Sequence, residues 1–325
     1  FFNLFDKPDF NRKTHKKNTP LTGTIPLILV FISTLILDLF FGIINDPDYQ
    51  LILISSIFIY LIGLIDDKFG LSPLKKISLI SLVTIVTIIY SENLIVSKFY
   101  ISFYDTFFYL DYFAIFFTVL CLLTLTNAFN LIDGINGLAI GVSIIWLISY
   151  LVIFTNNFNS EQLSGFNLFV ILIVINLIII FYFNFKGKFF LGDSGSLFLS
   201  YFFGLIIIKS VNTYYNQGIL LGYSAENLFL IFLLPFSDMI RVMVVRIEKK
   251  MNPFVGDRNH FHHLILGYFN QNNNSIFLYF LFLIVPIVSA EILYKFYNVK
   301  PIVVIFIGIL LFLVCCKIIN LKKKI

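Results

Sequence analysis

Ten predominantly apolar stretches, at residues 23–44, 50–65, 76–92, 111–130, 137–155, 165–184, 195–210, 226–246, 275–295 and 301–317, leave this chain few ways to fold. A helix needs about 20 mostly apolar residues to cross the hydrocarbon of a bilayer, where every backbone N–H and C=O must be satisfied within the protein. Composition points the same way: 59% of the residues are hydrophobic, 41 are Phe and 13% are charged, against about 25% charged in soluble domains. The expected fold is all-α, a polytopic transmembrane helix bundle of about ten spans. It forms a single integral-membrane domain over residues 1–325 with no soluble domain.

Ten spans would bring both ends of the chain to one side of the membrane. Placing residues 1–22, 66–76, 127–136, 184–194, the 247–274 loop with the end of the span before it, and the C-terminal tail on that side gathers 19 of the 23 Lys and Arg residues. Lys98, Lys209, Lys295 and Lys300 remain opposite. Basic residues are retained on the cytoplasmic side, so both ends are expected to be cytoplasmic. The net charge of +5 then reports topology and not a nucleic-acid partner. Cys121, Cys315 and Cys316 lie in apolar stretches without the spacing of a disulfide framework or zinc site, and read as small hydrophobes.

Five polar clusters interrupt the hydrocarbon, all expected on the cytoplasmic face. Asp66 and Asp67 close a span running inward, where the helix dipole disfavours negative charge and some cation must compensate. A solvated turn balanced by Lys68, Lys75 and Lys76 and a metal or proton-transfer site weigh about equally there. Asn127, Asn130 and Asp133 stand three apart, on one face of a helix. Amides also glue membrane helices together, but with Gly134 and Gly137 beside them a binding site is favoured. Asp193, within Gly192-Asp193-Ser194-Gly195-Ser196, opens an outward span. It could be a plain helix cap, but the flanking glycines would leave backbone N–H groups and the carboxylate open to a phosphate–metal unit.

The fourth cluster, Arg258-Asn259-His260-Phe261-His262-His263, holds three of the four histidines in the 247–274 loop. Zinc would have to complete its ligands with carboxylates, so imidazole and guanidinium donors to a phosphate or nucleotide are preferred. Asp238 and Arg241 in the preceding span read as an ion pair that positions the helix. The fifth cluster is the basic stretch Arg12 to Lys17 in the cytoplasmic segment 1–22, which an anchor near anionic lipid largely explains.

Taken in order, these segments resemble the polyprenyl-phosphate N-acetylhexosamine-1-phosphate transferase family over nearly the whole chain. The resemblance is carried by Arg12-Lys13-Thr14-His15, Asp66-Asp67, the Asn127/Asn130/Asp133-Gly134 pattern, Gly192 to Ser196, and His260-Phe261-His262-His263. The His-x-His-His form is similar to the branch that initiates O-antigen, teichoic acid or enterobacterial common antigen synthesis. The peptidoglycan branch, which transfers phospho-N-acetylmuramoyl-pentapeptide, typically has three consecutive histidines. Members of the first branch commonly carry eleven spans, and this chain opens at Phe1 without an initiator Met, so a first span is expected to be missing. The segment Thr22-Gly23-Thr24 departs from the family's usual glycine pair.

The resemblance implies transfer of a HexNAc-1-phosphate, commonly GlcNAc-1-phosphate, from a UDP-sugar to undecaprenyl phosphate at the inner membrane of a bacterium, with Mg²⁺ as cofactor and Mn²⁺ as an alternative ion. It implies Asp193, Asp67 and Asn130 at the metal, Asp66 as the base with Asp67 assisting, and Asp193 among the catalytic residues. Lys13, Asn127, Asn130, Asp133, Arg258, His260, His262 and His263 would bind substrate. A homodimer is an analogy to relatives. A secondary transporter is the rival class, but transporters keep their polar groups near the bilayer midplane, and Asp38, Asp238 and Glu291 form no series within the spans.

Overall fold

A computed structural model describes residues 5–6, 19–21, 23–155, 165–218, 224–252, 258–269 and 272–322. Among these residues the helices are α1 (Ile25–Phe41), α2 (Pro47–Phe69), α3 (Pro73–Ile89), α4 (Ala114–Ile132), α5 (Leu138–Thr155), α6 (Gly165–Phe185), α7 (Gly192–Asn216), α8 (Ala225–Glu248), α9 (Phe261–Phe269), α10 (Asn272–Tyr297) and α11 (Pro301–Lys322). Each of the ten apolar stretches falls on one helix, and α9, which carries His262 and His263, is additional. Seven helices, α2, α4, α6, α7, α8, α10 and α11, are long and apolar enough to cross a membrane; α1 and α5 are shorter apolar helices. The protein is therefore a multi-pass helical membrane protein.

The boundaries differ from the apolar stretches where polar residues have partners. α2 runs on to Phe69, so Asp66 and Asp67 belong to its last turns rather than to a loop. It starts at Pro47 behind Asp46, whose carboxylate accepts the Asp48 N–H at 2.9 Å, and stops at Gly70, whose φ of 67° needs no Cβ penalty. α7 begins at Gly192, three residues before the apolar run, which puts Asp193 in its first turn.

The chain divides into two compact units. The first comprises residues 1–97 and 112–217, with α1 to α7. α7 is its axis: nearly every residue from Ser194 to Tyr215 is buried, packed on α2, α4 and α5. A helix buried all round in this way must satisfy its own polar side chains. Ser200 Oγ donates to Ser196 O at 2.6 Å, Asn212 Nδ2 donates to Asn93 O and Ile95 O at 2.8 Å each, and Lys209 pairs with Asp48 and, at 3.3 Å, Asp46. A layer of aromatic rings, Phe31 against Phe169, Phe198 and Phe202 at 5.1, 4.6 and 4.8 Å between centroids, fills the space between α1, α6 and α7.

The second unit comprises residues 98–111 and 218–325. Residues 98–109 hold an antiparallel hairpin of β1 (Lys98–Ile101) and β2 (Thr106–Tyr109), in which Phe99 pairs with Phe108 and Tyr100 with Phe107. Glu226 in the first turn of α8 anchors its tip by accepting from Ser102 N and Phe103 N at 3.1 Å each. Helices α8, α9, α10 and α11 pack on one another. Phe261 sits among Tyr279, Phe282 and Phe312, with centroids 5.9, 5.3 and 5.1 Å away.

Candidate active site

In the first unit, the C-terminal end of α2, the start of α3, the end of α4 and the start of α7 bring four carboxylates together. Asp66 is buried and its Oδ1 accepts the Leu71 N–H at 2.6 Å, which fixes the turn after α2. Its Oδ2 pairs with Lys76 Nζ, and the same ammonium lies 2.7 Å from Asp193 Oδ2. Lys76 thus bridges two carboxylates from α2 and α7. It supplies the cation that the helix end requires, while Lys75 is exposed and Lys68 lies over the Phe69 ring at 5.2 Å.

Asp67 faces the opposite requirement. Its oxygens accept from Asp193 N at 2.8 Å and Ser194 N at 3.0 Å, so a carboxylate of α2 caps the positive end of α7. The expectation that glycines leave these N–H groups open to a phosphate is therefore corrected: two successive amides at the start of α7, those of Asp193 and Ser194, already hold a carboxylate. The packing that permits this is tight. A Cβ at Gly63 would come within 2.3 Å of Ser194 Cα, and one at Gly192, whose φ is 73°, within 2.8 Å of Asp67 Oδ2. Asp193 is not a side-chain cap either; its Oδ1 accepts from Asn130 Nδ2 at 2.6 Å, and Asn130 Nδ2 also reaches Ser196 Oγ at 2.8 Å.

Asn130, Asp133, Asp66, Asp67 and Asp193 are thus brought together, whereas Asn127, on the same helix, is exposed. Asp133 is half-buried as a residue, but its carboxyl is enclosed. Burial first, then the negative charges of Asp193 and Asp67, push it up to about 8 against the Gly192 N–H that favours its ionised form. With Asp133 mostly the neutral acid at pH 7, three other Asp side chains still face a single ammonium. Asn184, at the end of α6, was not singled out by the sequence. Its Oδ1 accepts Gly137 N–H at 2.6 Å and its Nδ2 donates to Phe189 O at 2.8 Å, tying the loop after α4 to the loop before α7. Nothing distinguishes this Asn in sequence from the Asn of any connector.

In the second unit, Asp238 of α8 gathers the residues that open α9. Arg241 Nη2 donates to its Oδ1 at 2.7 Å, Phe261 N–H reaches both oxygens at 3.0 and 3.1 Å, and His260 Nδ1 lies 3.0 Å from Oδ2. The rings of His260 and His262 lie nearly parallel with centroids 5.8 Å apart, and those of His262 and His263 are 4.1 Å apart. Burial, followed by the neighbouring His263, His260 and Arg241, holds the His262 imidazole well below the usual range, so it is neutral at pH 7. Arg258 is exposed just before this group. Lys13 and the rest of the basic stretch Arg12 to Lys17 lie outside the described residues.

Among the described residues no group of three or more His, Cys, Asp and Glu is arranged to hold a metal ion. Asp66 and Asp193, which share the Lys76 ammonium, are the carboxylates around which a metal ion could be held with oxygens of a substrate.

Comparison with known proteins bears on the same segment. The family model described as Glycosyl transferase family 4 matches residues 49–211, which include Asp66, Asp67, Lys76, Asn130, Asp133 and Asp193. A Bacillus subtilis (strain 168) protein named as a probable undecaprenyl-phosphate N-acetylglucosaminyl 1-phosphate transferase is 28% identical over 288 residues, covering 89% of this chain and 76% of its own length. The Escherichia coli (strain K12) undecaprenyl-phosphate alpha-N-acetylglucosaminyl 1-phosphate transferase is 29% identical over 269 residues, 81% of this chain and 69% of the relative. Its namesake in Salmonella typhi is 27% identical over 274 residues, with the same coverage.

Proposed function

Because this chain belongs to glycosyl transferase family 4, we propose that it transfers N-acetylglucosamine 1-phosphate from UDP-N-acetylglucosamine to undecaprenyl phosphate, releasing UMP, as the first membrane step in building a cell-envelope polysaccharide. The relatives' names support the undecaprenyl phosphate acceptor and the N-acetylglucosamine 1-phosphate group, and the UDP-linked donor is what the family resemblance implies. The observation that carries the reading is the group of Asp66, Lys76, Asn130 and Asp193 at the adjoining ends of four helices. Such a site sits where a lipid phosphate can meet a soluble nucleotide. Ten spans, with both ends and this site on the cytoplasmic face of the inner membrane, are supported by the coincidence of every apolar stretch with a helix and by the one-sided distribution of Lys and Arg.

In the reaction an oxygen of the lipid phosphate attacks the β-phosphorus of the UDP-sugar. A new P–O bond forms, the bond to the oxygen bridging the two phosphates breaks, and UMP leaves with that oxygen. Catalysis of such a transfer rests on positioning and charge neutralisation. Asp193, fixed by Asn130, would hold a Mg²⁺ ion, with Mn²⁺ as an alternative; when bound, it supplies positive charge to the diphosphate oxygens. Of the other two residues expected at the metal, Asp67 has its oxygens engaged by the α7 amides and Asn130 turns its NH₂ toward Asp193, so both act by shaping the site.

Lys76 moves its charge from the carboxylates to the reacting phosphates as these enter. Asp66, so released, accepts the proton of a lipid phosphate that arrives protonated. The family resemblance assigns His260, His262, His263 and Arg258 to binding the nucleotide sugar. The test is formation of lipid-linked sugar by membranes given UDP-N-acetylglucosamine and undecaprenyl phosphate. Asp193→Asn is expected to abolish it in protein that remains folded, and full activity in that variant would remove Asp193 from the metal site.

A further inference from the structure

The carboxylate of Asp238 is buried to 1% exposure, and its hydrogen bonds come from Arg241 of its own helix and from His260 and Phe261, where α9 opens. Arg241 Nη2 reaches it and also donates to Asn259 O at 2.5 Å, the Phe261 N–H spans both oxygens, and His260 Nδ1 completes the set. A carboxylate in this setting only accepts, so the proton of the bond to His260 belongs to Nδ1. In the neutral ring the lone pair then lies on Nε2. That atom is buried without a hydrogen-bond partner among the described residues, as are both ring nitrogens of His262. Leaving such an atom unpaired is unfavourable, and among the described residues nothing relieves it.

We propose that Asp238 is a positioning residue that acts through His260. By retaining the proton on Nδ1 it presents Nε2 as a hydrogen-bond acceptor, matched to a hydroxyl or amide N–H of the nucleotide sugar and not to a phosphate oxygen, which has no proton to give. Arg241 holds the other side of the same carboxylate and so fixes its orientation toward the ring. This deepens the reading of the histidines as substrate-binding residues and rests on it.

Two measurements test it in the full chain reconstituted in lipid nanodiscs. With ¹⁵N-labelled histidine, the ring-nitrogen shifts of His260, assigned by their loss in His260→Gln, are expected to be those of the Nδ1–H tautomer in the native protein. They should move toward Nε2–H in Asp238→Asn, whose amide can donate to Nδ1. An Nε2–H tautomer in the native protein overturns the proposal without recourse to any variant. In kinetics with UDP-N-acetylglucosamine, His260→Gln and Asp238→Asn are each expected to raise KM by about tenfold or more, with the double variant no worse than His260→Gln alone. Losses that multiply in the double variant, or normal kinetics in Asp238→Asn beside a damaged His260→Gln, remove the role of Asp238. Normal kinetics in His260→Gln instead remove the substrate role of the histidine on which the proposal stands.

Discussion

Single side chains decide this site more than the apolar background does. Lys76 neutralises Asp66 and Asp193 at once. Replacing it by Met is expected to lower transfer by roughly 10- to 100-fold, the scale of a lost charged hydrogen bond. With the competing ammonium gone, Mg²⁺ should raise the unfolding temperature of Lys76→Met more than that of the native protein; an equal or smaller rise would show that ammonium and metal do not share a place. His262 sets a pH dependence of its own. Its neutral form is favoured in the fold and its pKa is lowered, so the stability it contributes is complete above the unfolded value of about 6.5 and is lost as pH falls below it. Thermal unfolding followed from pH 7.5 to 5 should therefore decline less steeply in His262→Gln than in the native protein, by up to about 1.4 kcal/mol per pH unit. Parallel curves would contradict the assignment.

At the scale of elements, the junction of α2 with the start of α7 holds the site in shape. A methyl at Gly63 would strike the backbone of Ser194, and backbone cannot rotate aside. Gly63→Ala is expected to cost roughly 1–3 kcal/mol as overpacking and to reduce transfer, read by thermal unfolding and by the lipid-linked product. Asp67→Ala strips the cap from two α7 amides and should cost about 0.5–2 kcal/mol, with Asp67→Asn recovering part of that because its Oδ1 still accepts one N–H. Sequence reading reached the helices, because their apolar runs are long, and the convergence of Asp66, Asp133 and Asp193, because alternating span directions return those residues to one side. It could not choose among Lys68, Lys75 and Lys76, since one residue along a helix turns the side chain by about 100° and only packing fixes which of them reaches inward. The β1–β2 hairpin was hidden for a related reason: Phe and Tyr occupy consecutive positions in both strands, so no alternation of polar and apolar faces announces them.

At the scale of the whole molecule, α2 and α7 run antiparallel, with charges at both junctions. Asp193 and Lys209 are 16 residues apart on α7, and a rise of 1.5 Å per residue separates them by roughly 24 Å. One end carries the acidic cluster and the other the Lys209 pair with Asp46 and Asp48, so the charges that α2 and α7 share lie toward the ends of these two helices, as suits an interfacial enzyme more than a midplane carrier. Incubation with radiolabelled UMP and unlabelled UDP-N-acetylglucosamine should return label to the nucleotide sugar when undecaprenyl phosphate and Mg²⁺ are present. No exchange under those conditions, with transport of the sugar instead, would reverse the assignment of class. The cap that Asp67 places on α7 also carries a lesson for inhibitor chemistry. A compound built on phosphate mimics that seek main-chain donors, as at the glycine-rich loops of nucleotide hydrolases, would find those donors taken. One bearing a basic arm that evicts the ammonium between Asp66 and Asp193 would address the contact this protein leaves exchangeable.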